Sequence, residues 1–356
     1  MGSDSSRPTN VVRQDRAHYY GAMVSKLIKY LPGICLMFIV GYAGKIVANY
    51  IPHTEYVLFA IAIGMIVRNV FTLPKFFAPG IASYELWMKT GVALLGARLA
   101  LQEVFLIGAG GIVLVIIEIT VAIVTAAYLG RLFGLKEKLA SLLGIGIGVC
   151  GVSAIISATS AIEAEEDDAA YAIATILLFG AIMLFLYPAL GAWLGMSDTA
   201  FGYWTGLSID NTAEAVATGF AFSEAAGNIA TVVKLSRNAL MGLVVLIMAL
   251  YYARQGITGQ VQNKAVFLWS RLPKFLIGFL AFSLLATVGF ITPGQAKILN
   301  NASKWLFMLT FAGVGLSTDF KRMKAGMRPF LVGFGVETIV SIVTFTLVYY
   351  VIGLVP

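Results

Sequence analysis

The sequence predicts an all-α polytopic membrane protein with about eleven transmembrane helices, inverted repeats and two broken helices that cross near the midplane. Of its 356 residues, 59% are hydrophobic and 12% are charged, whereas soluble domains carry about 25% charged residues. Apolar runs recur from residue 31 to 355, and a helix needs about 20 apolar residues to cross roughly 30 Å of hydrocarbon. Two of these runs are interrupted by glycine and polar residues, a pattern typical of secondary transporters.

The chain is predicted to form one membrane-embedded unit. Residues 1–30 are expected to form a polar tail and a short interfacial helix without a cleavable signal peptide, and residues 31–356 a single transmembrane transporter unit. The predicted spans lie near 31–50, 55–71, 83–99, 104–130, 139–161, 169–193, 199–222, 226–252, 272–291, 298–317 and 330–353.

The charged loops predict the orientation. Lys and Arg cluster at 131–138, 254–274 and 321–328, and an odd number of crossings puts these loops on the side of the N-terminus. The acidic run EAEEDD at 163–168 then falls on the other side. Because basic loops stay inside, we expect the N-terminus in the cytoplasm and the C-terminus outside. The net charge of +7 lies in these short loops, so it gives no indication of a nucleic-acid partner.

A weak internal repeat supports a transporter. VFTLP at 70–74 aligns with GFITP at 289–293, and ALLGAR at 93–98 aligns with AGVGLS at 312–317. The second, third and fourth spans then correspond to the ninth, tenth and eleventh. Because seven is an odd number of steps, the two copies are predicted to be inverted in the membrane.

The first predicted break lies near 139–161, in IGIGVCGVSAIISATSAIEAEEDD. Its glycines can be a seam for close helix packing or can unwind the helix in mid-membrane. In the second interpretation, a half-helix begins near Gly151 and Ser153, and its free N–H groups form an anion site. Cys150 and Ser157 are then further candidates for substrate binding.

The second predicted break lies near 199–222, in GYWTGLSIDNTAEAVATG. Asn211 and Glu214 have the spacing of an N-terminal capping box, and a carboxylate at this depth indicates function by default. We expect Asp210, Thr212 and Glu214 to bind a coupling ion. Ser208 and Asn211 are also substrate-binding candidates at this break, and the alternative is a capping network that only holds a kink.

Two basic residues fall deep in the eighth span. Lys234 and Arg237 share one helix face and lie too deep to reach the interface easily. They are predicted to pair with a bound anion or with an internal carboxylate, and a purely structural ion pair is the alternative. The candidate carboxylates are Asp210, Glu214, Glu118 and Glu337.

Four stretches of the chain carry a family resemblance, namely GVCGVSAIISATSAI, EAEEDDAAYAIATILLFGAIMLFLYP, DNTAEAVATG and ATVVKLSR. They resemble the bacterial YeiH (UPF0324) family of membrane proteins, also called putative sulfate exporters, which implies a location in the bacterial inner membrane. The resemblance covers most of the chain from about residue 30. It implies a bile-acid/arsenite/riboflavin-type carrier with panel helices that form a homodimer, and a core domain with the broken helices. Where that family often has a His-Glu pair, this chain has Asp210 and Asn211, so the coupling ion stays open between H⁺ and Na⁺.

The predicted function is secondary active transport of a small anion, with Gly151 and Ser153 as donors and Lys234 and Arg237 as charges. The alternative is a cation/proton antiporter that uses Asp210 and Asn211. An enzyme is disfavoured because the sequence has no HExxH, no GxSxG and no histidine within a predicted span. No cofactor, metal or disulfide is expected from the two cysteines.

Overall fold

The computed structural model describes residues 8–51, 55–256, 263–320 and 327–353, with side chains from residue 28 onward. Within these ranges the regular structure is helical. Its helices are α1 (Pro8–Ala48), α2 (Tyr56–Val70), α3 (Ala78–Ala82), α4 (Tyr84–Leu95), α5 (Leu101–Leu132), α6 (Glu137–Gly148), α7 (Val152–Ala161), α8 (Glu166–Trp193), α9 (Asp198–Ser208), α10 (Thr212–Phe222), α11 (Glu224–Ala239), α12 (Met241–Arg254), α13 (Lys264–Arg271), α14 (Lys274–Thr287), α15 (Pro293–Ser317) and α16 (Met327–Val351).

The prediction of a polytopic membrane protein is confirmed. Five helical segments of the described chain are long and apolar enough to cross a membrane, and α13 with α14, bent by 72°, can form a sixth. The five segments are Ile28–Ala48, Leu101–Leu132, Glu166–Trp193, Glu224–Arg254 and Met327–Val351. The predicted count of eleven and the inverted repeat are not confirmed.

The predicted interruptions near 139–161 and 199–222 are present, but the expectation that these segments cross the membrane is wrong. The first segment folds back as a hairpin of α6 and α7. Lys136, just before α6, lies 2.6 Å from Glu165, just after α7, and Lys138 Nζ donates to the Glu163 carbonyl at 2.6 Å. Both ends of this hairpin therefore lie at one face, the Lys136 face.

The second segment is a hairpin of α9 and α10 that enters from the other face. Ser223, after α10, donates from Oγ to Asp198 at the start of α9, at 2.6 Å, and the Phe201 and Phe222 rings stack at 4.0 Å. Glu224 follows directly, so we call this side the Glu224 face. A sequence pattern locates a break but does not fix the angle between the two half-helices, which is why crossing helices were expected.

The hairpins also correct the predicted side of the acidic run. Glu163 and Glu165 contact the basic residues of the Lys136 face, so this run and the basic loop at 131–138 share a face. Tyr251 Oη donates to Glu137 at 3.0 Å, which puts the end of α12 and Arg254 there too. The predicted basic loop at 321–324 lies outside the described residues, and the cytoplasmic position of the N-terminus stays a prediction.

The helices pack in two groups. The first group surrounds the largest apolar core and consists of α5 to α9, α11, α12 and α16. The second group contains α1, α2, α4, α14 and α15, and its apolar core continues into residues of α5, α8, α10 and α11. Helix α10 packs on α8, α9 and α11 and also contacts α2 and α15. The second hairpin therefore lies where the two groups meet.

Candidate functional site

The two hairpins meet at their tips. We call Val149, Cys150 and Gly151 the first tip, and Ile209, Asp210 and Asn211 the second tip. At Gly151 the backbone φ is +68°, and a Cβ added there would lie 3.2 Å from the Asn211 backbone nitrogen. Glycine tolerates positive φ without steric cost, so Gly151 allows both the reversal of the chain and the close approach.

Lys234 of α11 holds the two tips together. Its side chain is fully buried, and Nζ donates to the Val149 carbonyl at 2.9 Å and to the Ile209 carbonyl at 2.8 Å. These carbonyls follow the C-terminal ends of α6 and α9, where a helix leaves acceptors unpaired and its dipole is negative. One ammonium group therefore stabilises two helix C-termini.

Arg237, one turn further along α11, also joins the two hairpins and does so through more hydrogen bonds. Its guanidinium is fully buried and donates to carbonyls of both hairpins, including Gly148 at 3.3 Å and Ile209 at 3.1 Å. It also pairs with Glu118 of α5 at 3.2 Å. The predicted pairing with an internal carboxylate is thus confirmed for Arg237 and Glu118, and carbonyl oxygens supply the other contacts of both cations.

The N-terminal ends of α7 and α10 border an open cavity of about 970 Å³. The first turn of a helix carries N–H groups without intrahelical partners. The Asn211 side chain accepts from the Ala213 N–H at 3.0 Å and so caps α10. The N-cap at Asn211 is therefore present, but the capping box predicted from the Asn211–Glu214 spacing is not formed, because Glu214 points toward Gly180 of α8. The predicted residues that line the cavity are Cys150, Ser153, Ser157, Asn211 and Thr212.

Three basic side chains border this cavity, and the sequence analysis did not single them out as site residues. Lys89 of α4 pairs with Glu85 at 2.9 Å, Arg271 hydrogen-bonds to Ser157 and Ser160, and Lys274 lies over the Trp269 ring. The depth of Lys89 in its predicted span, 83–99, was a usable signal. Arg271 is in a basic loop, and its approach to α7 follows only from the hairpin.

The predicted site residues Ser208 and Thr212 lie in different places relative to the cavity. Ser208 is fully buried and donates to the Trp204 carbonyl at 2.6 Å, so it does not line the cavity. Thr212 Oγ1 accepts from Asn238 Nδ2 at 3.1 Å, and Asn238 also lines the cavity. Thr212 therefore belongs with the candidate substrate site by geometry, rather than with Asp210 and Glu214.

Asp210 lies on the side of the second tip away from the cavity. It is 1% exposed, and its carboxyl group contacts that of Glu337 on α16. Among the described residues, no donor hydrogen-bonds to any carboxyl oxygen of this pair. The arrangement has two chemically distinct parts, a polar cavity at two helix N-termini and a buried acidic pair behind the second tip.

Comparison with known proteins gives a family. The family "Conserved hypothetical protein 698" matches residues 32–333. A UPF0324 membrane protein of Nitratidesulfovibrio vulgaris is 33% identical over 321 residues, which cover 86% of this chain and 89% of the relative. UPF0324 membrane protein SAG1125 of Streptococcus agalactiae is 30% identical, over 85% of this chain and 92% of its own. UPF0324 membrane protein TauZ of Paracoccus denitrificans is 31% identical, over 78% and 81%. No solved structure matches the chain.

Proposed function

We propose that this chain, which belongs to the UPF0324 membrane protein family as its motifs predict, is a secondary active transporter rather than an enzyme. Its proposed substrate is a small anion of the sulfate, sulfonate or carboxylate type, moved by alternating access with H⁺ or Na⁺ as the coupling ion. The observation that carries this proposal is the cavity at which the N-terminal ends of α7 and α10 converge.

The electrostatics of this cavity favour an anion. Helix N-termini carry partial positive charge and unpaired N–H groups, and two of them border the same space. Lys89, Arg271 and Lys274 add three positive charges, against the single carboxylate of Glu85. The negative C-terminal ends of α6 and α9 are occupied by Lys234 and Arg237, so they do not oppose an anion at the other side of the tips.

The position of the cavity supports alternating access. Its lining comes from α7 and both hairpin tips on one side and from α4 and α14 on the other, and these helices belong to different packing groups. A relative movement of the two groups would therefore change the exposure of a bound solute. Transporters place such sites between two units that rock against each other.

A ligand screen on the purified protein tests the proposal. Sulfate, sulfite, sulfonates, carboxylates and bicarbonate are added separately, and the thermal unfolding midpoint is measured. We expect at least one anion to raise the midpoint, and Ser153→Ala or Lys89→Met to reduce that rise. Ser236→Ala, whose hydroxyl bonds to the Val232 carbonyl away from the cavity, and Lys304→Met at the Glu224 face are the matched controls. If no anion stabilises the wild type, the proposed substrate class is wrong.

A cation/proton antiporter is the second candidate, and one observation favours it. Around the tips, the buried carboxyl groups of Glu118, Asp210, Glu214 and Glu337 outnumber the two buried cations. Buried charges that lack partners are costly unless a proton or cation neutralises them. Proteoliposomes that take up Na⁺ or K⁺ after a pH jump, without any anion requirement, would favour this candidate.

The assembly and location are also proposals. We propose a homodimer in the bacterial inner membrane with a cytoplasmic N-terminus, on the basis of the family resemblance and the basic loops. Cross-linking in native membranes measures the first property, and topology reporters fused to each terminus measure the second. Opposite locations for the two termini are expected.

A further inference from the structure

Asp210 and Glu337 form a carboxyl pair that the anion cavity does not use. Asp210 lies between α9 and α10 at the second tip, and Glu337 lies within α16. Their exposed fractions are 1% and 0%, and their carboxyl groups contact each other. All four carboxyl oxygens are buried without a hydrogen-bond donor in the described part of the chain.

Two ionised carboxylates cannot share such a site. Each would be desolvated, and each would repel the other at contact distance. A single proton removes both penalties, because the protonated carboxyl then donates to the carboxylate beside it. Contact between two buried acids that have no other donor therefore indicates a bound proton.

The surrounding charged groups do not replace that proton. Lys234 Nζ and the Arg237 guanidinium donate to tip carbonyls, and Arg237 is also paired with Glu118. The titratable groups that face the pair are Glu118 on α5, Tyr187 on α8, Glu214 on α10, and Lys234 and Arg237 on α11. Tyr187 is hydrogen-bonded to Ser341, and Glu118 and Glu214 are acids, so they supply no positive charge to the pair.

We propose that Asp210 and Glu337 share one exchangeable proton and form the coupling-proton site of the carrier, an inference that rests on the proposed function. In the closed state, the O–H of one carboxyl donates to the other carboxylate. When the hairpins move and water enters, water accepts the proton and both groups are ionised. The reverse transfer from water restores the pair.

The location of the pair links it to the anion cavity. Asp210 directly precedes Asn211, which caps α10 and lines the cavity. Ionisation of the pair puts negative charge immediately behind the proposed anion site, and protonation removes it. Anion binding and protonation therefore favour each other, which is the linkage that a proton–anion symporter requires. Anion affinity is expected to fall as the pH rises through the titration of the pair.

Infrared spectroscopy of the protein in lipid vesicles tests the shared proton, because it separates the C=O stretch of a protonated carboxyl from that of a carboxylate. At neutral pH, Asp210→Asn is expected to remove one carboxyl equivalent of the protonated band. Glu337→Gln removes the same equivalent, since the new amide donates to the remaining carboxylate. The double variant loses no more than either single variant. Glu224→Gln, at an exposed carboxylate paired with Lys304, is the control and leaves the protonated band unchanged.

A second measurement needs no variant and so does not depend on their folding. Transfer of the wild type to D₂O is expected to lower the frequency of the pair's band, which demonstrates exchange. No band loss in either single variant overturns the proposal, as does a loss in the double variant equal to the sum of the singles. A band that never shifts in D₂O reveals a sealed structural proton and overturns the coupling role. These spectra require no anion, so they fail or succeed independently of the ligand screen.

Discussion

The two hairpin tips lie against each other but are built by different means. The first tip turns on Gly151, with φ of +68°, and has no ionisable group other than the Cys150 thiol. The second tip turns with extended backbone at Ile209 and Asn211, is capped by the Asn211 side chain and contains Asp210. One tip is thus specified by backbone freedom and the other by side-chain hydrogen bonds. Of the two tips, only the second contains a carboxylic acid, Asp210, whose protonation can change.

Removal of the Arg237 guanidinium, which donates to carbonyls of both hairpins, should have the largest effect on stability. Arg237→Met leaves Glu118 as an uncompensated buried charge and frees carbonyls of α6 and α9, so we expect a loss of about 3–5 kcal/mol. The measurement is the thermal unfolding midpoint in detergent. The double variant Glu118→Gln/Arg237→Met should recover part of the loss. If the single variant unfolds like the wild type, the guanidinium does not hold the tips.

A substitution at the first tip should have the next largest effect. Gly151→Ala puts a side chain in a positive-φ conformation and a Cβ 3.2 Å from the Asn211 nitrogen, which should cost on the order of 1–3 kcal/mol. Gly195→Ala is the matched control, since Gly195 has φ of +63° but nothing within 4 Å of an added Cβ. Only Gly151→Ala should also weaken stabilisation by the anion. Equal effects of Gly151→Ala and Gly195→Ala on anion binding would show that the contact between the tips has no part in binding.

At the second tip, loss of the cap should have a smaller effect on stability. Asn211→Ala removes the acceptor for the Ala213 N–H, and a lost N-cap costs about 1 kcal/mol. Ser197→Ala removes the corresponding cap of α9, whose side chain accepts from Ala200 N–H, far from the cavity. Both variants should lower the unfolding midpoint, whereas only Asn211→Ala should reduce the anion-dependent rise. Anion stabilisation that survives in Asn211→Ala would separate the second tip from the binding site.

The smallest effect is expected where the first hairpin closes at the membrane face. The hydrogen bond from Lys136 lowers the pKa of Glu165 and, in turn, raises the pKa of Lys136. Because the stability contributed by a lowered carboxyl pKa is fully present above the unfolded pKa, Glu165→Gln should be slightly less stable than the wild type at neutral pH. The difference should vanish as the pH falls through the lowered pKa of Glu165. Both side chains are largely exposed, so high salt should also abolish it.

Sequence patterns predicted the breaks and their chemistry better than their geometry. The glycines before Val152 and the Asp-Asn-Thr run located both tips, because unwound backbone and helix caps have local signatures. The reversal at each tip depends on contacts between distant residues, such as Lys234 with the Val149 and Ile209 carbonyls, which no local pattern encodes. Lys234 and Arg237 were correctly expected to be buried, but their carbonyl partners become visible only once the hairpins fold.

The acidic residues show the same limit. The sequence predicts Glu337 as one possible partner for the buried cations. The depth of a charged residue in a span indicates that it needs a partner, but it does not indicate which residue that partner is. The structure pairs Glu118 with Arg237 and leaves Glu337 against Asp210. Lys89 is not among the predicted site residues although it falls within the predicted span 83–99, and its place on the cavity wall gives it a role.

Lys234 restrains how the two hairpins can move. Because its ammonium group donates to one carbonyl of each hairpin, displacement of one tip without the other would break a buried hydrogen bond. Under the proposed function, both hairpins therefore travel together relative to the second group of helices, and the contacts that must be exchanged lie between α10 and helices α2 and α15.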